Sequence, residues 1–94
     1  MIMLCKPTPD WPTTVDEAVN RIFAKLTDTQ KDELRKTPLA DLELLHFGLG
    51  TAVRNACGLW QGNTALLAAC GSADMHPDSA SDVIVRAVWE WLRA

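Results

Sequence analysis

The sequence predicts a compact all-α domain of four or five helices around a central helix over residues 38–57. Three observations carry that prediction. Apolar residues recur at three- and four-residue steps in successive stretches. Capping signals stand ahead of those stretches. There is no alternating period-two run and no Asn-Gly or Asp-Gly hairpin turn, so no significant sheet is expected. The longest helical stretch is LADLELLHFGLGTAVRNACG, where Leu42, Leu45, His46, Leu49, Ala52, Val53 and Ala56 share one stripe and Leu44 and Phe47 lie opposite. A helix that is apolar on two sides needs two covers and belongs in the middle of a domain.

Residues 1–12 contain Pro7, Pro9 and Pro12 and read as an extended arm, pinned to the body by Trp11; residues 13–94 form a single helical domain. Thr14 and Glu17 have capping-box spacing, and Val15, Ala18, Val19, Ile22, Phe23 and Leu26 follow as one apolar stripe of a helix over about 15–26. Thr27 and Gln30 repeat the signal for a shorter helix to Lys36 with only Leu34 to bury, expected as a solvated connector. Thr37-Pro38 reads as a cap and a first-turn proline that open the central helix. Gly48 and Gly50 inside it each cost about 1 kcal/mol against alanine, which implies a close approach by another helix or a kink. Gly58 is placed for a left-handed stop with Leu59 folding back, and Trp60 follows in the turn. Asn63 caps a short helix, TALLAAC, ending at Gly71. After the loop GSADMHPD, the last helix has Ala80, Val83, Ile84, Ala87, Val88 and Trp91 on one stripe, with Val85 and Trp89 on the far side.

Ninety-four residues make one domain, and a 48% hydrophobic composition supplies its core. A net charge of -3, without a basic stripe, excludes an electrostatic binder of nucleic acid or of a membrane surface. The cysteines are odd in number (Cys5, Cys57, Cys70) and form no CxxC, which fits a reducing, cytoplasmic setting. The start MIMLCKP has neither the charged nor the apolar region of a signal peptide, and no run has the length of a membrane span.

The chemical constellations are thin. His46, His76, Cys57 and Cys70 lack the paired spacing of a zinc site, so no metal and no cofactor is expected. Cys57 and Cys70 fall near helix C-termini, where the dipole disfavours a thiolate. No phosphate loop, nucleophile elbow or HExxH is present, and catalysis is not expected. His76-Pro77-Asp78 is the tripeptide that J-domain co-chaperones carry between two long helices, but the preceding TALLAAC has no Lys or Arg. The structural reading is a helix start at Pro77, with Asp78, Ser79 and Ser81 supplying charge and capping. Arg54 and Asn55 project from the last turn of the central helix beside the GLW turn. Trp89 points about 160° from its helix's apolar stripe at 100° per residue, so either the arm with Trp11 covers it or it is exposed beside Val85 as an interface anchor.

The string LLHFGLGTAVRNACGLW, then N-T-x-L-L, a Cys, HPDSAS and a terminal VWEWL resembles a small bacterial and phage-associated helical domain of unknown function. The resemblance implies an all-helical fold from about Thr14 onward and supplies no activity. It puts Arg54, Asn55, Gly58, Leu59, Trp60, His76, Pro77 and Asp78 in its recurring positions.

These features lead to the expectation of a small, non-enzymatic interaction module that inhibits or adapts a larger protein, in the manner of an immunity protein or a phage-encoded anti-defence protein. Trp89, Val85 and Trp60 are its expected contacts, with Arg54 and Asn55 as polar partners. On that reading Trp89→Ala weakens binding by about 2 kcal/mol with little loss of stability. The alternatives are a co-chaperone-like regulator using the His76-Pro77-Asp78 loop and a homodimeric structural protein.

Overall fold

Among the described residues, 11–45 and 48–93 of a computed structural model, the chain forms five α-helices, two 3₁₀ segments and no strand. Expectations placed on residues 1–10 (Pro7, Pro9 and Cys5 among them), on His46 and on Phe47 lie outside the described residues. The helices are α1 (Val15–Lys25), α2 (Asp28–Lys36), α3 (Leu49–Ala56), α4 (Thr64–Cys70) and α5 (Pro77–Arg93). A 3₁₀ segment, Leu39–Leu45, precedes α3, and a single 3₁₀ turn, Leu59–Gln61, lies between α3 and α4. The all-α fold is the one the sequence predicts.

Both N-terminal helices start where their caps place them. The Thr14 hydroxyl accepts from the Glu17 amide at 3.1 Å, but Glu17 returns one residue further out, accepting from the Thr13 amide at 2.9 Å. The Thr13 amide, and with it the Thr13 hydroxyl at 3.1 Å, donate to the Glu17 carboxylate and hold it below its ordinary pKa. At α2 the box is complete: Thr27 Oγ1 accepts from the Gln30 amide at 3.1 Å and Gln30 Oε1 from the Thr27 amide at 2.9 Å.

The organising element is α5, not the stretch over 38–57. It packs against all four other helices and contributes Ala80, Ile84, Val85 and Val88 to a core that also holds Val19 and Ile22 of α1, Val53 of α3 and Leu66 of α4. The expected long central helix is two elements, a 3₁₀ segment and the short α3 with Gly48 at its N-cap. Leu39, Leu42 and Leu45 recur at three-residue steps, a spacing that also fits 3₁₀ geometry, with three residues per turn.

The buried stripe of α5 is turned relative to the expected one. Ala80, Ser81, Ile84, Val85 and Val88 are buried, whereas Val83 and Trp91 are exposed. α2 is correspondingly more than a connector, because three hydrogen bonds tie its C-terminal end to the end of α5. Trp89 Nε1 donates to the Thr37 carbonyl at 2.7 Å, Arg35 Nε to Leu92 O at 3.1 Å, and Arg93 Nη1 to Arg35 O at 2.8 Å.

Candidate functional site

Gly58 and Gly62 frame the GLWQG turn, and both adopt left-handed backbone, with φ of 68° and 86°. Between them, one 3₁₀ turn sends neighbouring side chains in opposite directions. Leu59 is 2% exposed in the core and Trp60 is 55% exposed. The turn is fixed from below. Asn63 Nδ2 donates to Pro12 O and to Cys57 O, both at 2.8 Å, while Asn63 Oδ1 accepts from the Leu66 amide at the start of α4. The Trp11 indole lies so close to Gly58 that a Cβ there would overlap it. Trp60 is one of five large hydrophobic side chains exposed among the described residues, with Leu39, Leu44, Val83 and Trp91, and it is held out on a well-anchored turn.

Beside it stands the start of α5. The His76 ring meets Trp60 edge-to-face, with centroids 5.4 Å apart and planes at 90°. His76 occupies the N-cap position ahead of Pro77, and its Nδ1 accepts from the Asp78 amide at 3.1 Å. The cap therefore comes from His76, where the sequence reading looked to Asp78 and the serines.

Underneath, Arg54 ties α3 to α5. Its Nη1 donates to Ser81 Oγ at 2.9 Å, Nη2 to Thr51 Oγ1 at 2.8 Å, and Nε lies 3.5 Å from Asp78 Oδ1. Ser81 in turn donates to the Asp78 carbonyl at 2.8 Å. The guanidinium is buried, and a Cβ at Gly50 would come within 3.1 Å of Nη1, so glycine leaves the space this side chain occupies. Such a fork of donors needs arginine, because a lysine ammonium cannot reach three separated acceptors in one plane.

Residues 11–92 match the family described as a domain of unknown function, DUF6794. The chain belongs to that family. No curated protein and no solved structure matches it. The family description brings no activity with it, so the reading of the site rests on its geometry.

Several residues singled out in the sequence come together here. Trp60, His76, Pro77, Asp78 and Arg54 form one continuous cluster, with Asn55 exposed on the adjoining turn of α3. Arg54 is an internal brace, being 6% exposed, and so does not present a polar contact to a partner. Val85 and Trp89 stand apart. Val85 is 4% exposed in the core. Trp89 is clamped within the fold, its Nε1 bonded to Thr37 and its ring 4.7 Å beneath the Arg93 guanidinium. It is covered by α2 and the end of α5, whereas Trp11 covers Gly58.

Ser81, Thr51 and the two-carbonyl grip of Asn63 were missed by sequence reasoning. No sequence signal marked Ser81, because a helical serine can also be satisfied within its own helix, as Ser81 partly is by donating to the Asp78 carbonyl.

Among the described residues no group of three or more His, Cys, Asp or Glu side chains gathers as a metal-binding set. Burial pushes the Cys57 thiol up to about 11 and raises that of Cys70 as well, which disfavours thiolate at either position. Among the described residues, no helix is long and apolar enough to cross a membrane.

Proposed function

We propose that this chain is a non-enzymatic protein-interaction module that docks through the GLW turn, with Trp60 as its anchor and His76 and Asn55 beside it. The observation that carries the reading is the double-glycine turn, which buries Leu59 and displays Trp60 while the Asn63 bonds and the Trp11 contact hold the backbone beneath it. Preorganised, exposed tryptophan is the residue type most enriched at binding hot spots, because it brings large contact area at small entropic cost. A small inhibitor or adaptor of a larger cytoplasmic protein, bacterial or phage-encoded, is the role this favours. A co-chaperone role for the His76-Pro77-Asp78 loop is less favoured, since Pro77 and Asp78 are already committed to the first turn of α5 and Asp78 pairs with Arg54.

Affinity capture from host lysate with the wild type and Trp60→Ala, read by mass spectrometry, tests the reading. The expected result is one protein retained by the wild type and depleted at least tenfold with the variant. Equal retention by both proteins contradicts Trp60 as the anchor.

A further inference from the structure

α5 is apolar on two sides. One side supplies the core. On the other, Val83, Ala87 and Trp91 follow at four-residue steps and share a stripe over about 12 Å of helix. Val83 and Trp91 are exposed and Ala87 is half-buried. Phe23 of α1, also half-buried, lies against Trp91 with ring centroids 5.6 Å apart and carries the apolar surface onto the neighbouring helix. Along the other edge of the stripe run Arg86 and Glu90, both exposed, with Nε and Oε2 3.8 Å apart. Apolar side chains at helical spacing on an open face, edged by charge, make a seam for another helix.

We propose that this face is a self-association surface, on which α5 of a second copy of this chain packs antiparallel through Val83, Ala87 and Trp91. The order of residues along the stripe picks that occupant, because the stripe complements itself. About a twofold axis at Ala87, Val83 stands level with the second copy's Trp91, so a smaller side chain meets a larger one at both ends. Ala87 meets Ala87, and two small residues at the crossing let the helix axes come close. On the charged edge, Arg86 stands within about 3 Å along the axis of the second copy's Glu90. The twofold repeats that contact, so two opposite-charge contacts outnumber the single approach of Arg86 to Arg86, while the two Glu90 side chains are farther apart. A parallel pairing would set like on like, Arg86 on Arg86 and Trp91 on Trp91. The self-association does not use Trp60, and so stands apart from the docking reading.

Sedimentation equilibrium of the full chain, from micromolar to millimolar concentration, tests the proposal. The mass is expected to rise from that of one chain towards that of two. Ala87→Arg at the crossing should weaken the association about tenfold or more. Arg86→Glu and Glu90→Arg change exposed side chains that the fold does not bury, and each should weaken it about threefold or more by setting like charges across the seam. An equimolar mixture of those two variants brings an acidic edge against a basic one, and should associate more tightly than either variant alone. Thermal unfolding of each variant confirms that it is folded. The mass of a single chain at every concentration overturns the proposal. Self-association untouched by Ala87→Arg and by both charge variants overturns the face. A mixture no tighter than its components overturns the apposition of the charged edges. A chain that stays single while Ala87→Arg loses a protein captured from lysate assigns the face to a foreign helix and overturns the second copy as its occupant.

Discussion

Arg54 shows how one side chain can decide a local structure. It is the only charged residue in the buried part of the described chain, and it meets Ser81, Thr51 and Asp78 from two helices. Removing it leaves Ser81 buried without its donor and takes away the guanidinium that faces Asp78. Arg54→Leu is therefore expected to lower unfolding stability in urea by about 2–3 kcal/mol. Arg54→Lys should recover less than half of that loss, since the fork geometry is missing. Cys57 gives a second test at this scale. Its folded pKa, about 11, lies above the ordinary value of 9.0 because burial disfavours the thiolate. The folded state thus holds the thiol proton more tightly than the unfolded chain, and this contribution is fully present below about pH 9 and fades towards 11. Stability measured by urea titration should fall across that window, and Cys57→Ala should flatten the fall.

At the scale of elements, the GLWQG turn separates two kinds of glycine. Gly58 needs both its left-handed φ and the absence of a Cβ under Trp11, whereas Gly62 has the same backbone demand with open space around it. Gly62→Ala should cost about 1 kcal/mol. Gly58→Ala should cost at least twice as much and disturb Trp11 fluorescence. Urea midpoints of the two variants check the contrast. The turn was legible beforehand because a helix ending at a glycine leaves few backbone choices. The helices on either side were less so. Three-residue leucine spacing cannot separate an α-helix from a 3₁₀ segment, and so the 38–57 stretch read as one helix. In α5 the error had one cause. Ser81 reads in the sequence as part of the capping at the helix start, so the apolar stripe is drawn through Ala80, Val83, Ile84, Ala87, Val88 and Trp91. Once Arg54 satisfies Ser81, the stripe turns to include Val85, and Trp89 comes up against Thr37.

For the whole molecule, the consequence is a reassignment among tryptophans. Four tryptophans divide their work: Trp11 wedges against Gly58, Trp89 latches α2 to α5, Trp91 lies 5.6 Å from Phe23, and Trp60 is displayed. The sequence favoured Trp89 as the anchor because periodicity places it off the stripe. It could not reveal that the end of α2 arrives there with a carbonyl acceptor, since that contact joins residues 52 positions apart. The GLW turn and the HPD tripeptide were both visible in the sequence. Their meeting in space was not, because it depends on how α3, α4 and α5 pack. The central claim is that this fold stabilises itself through Trp89 and presents Trp60. The most direct measurement is thermal unfolding and partner capture of Trp60→Ala and Trp89→Ala side by side. The account predicts that Trp60→Ala keeps its melting temperature within about 3 °C and loses the partner, while Trp89→Ala melts about 10 °C or more lower and retains the partner where it remains folded. The reverse pattern, an unstable Trp60→Ala and a stable, non-binding Trp89→Ala, would contradict it.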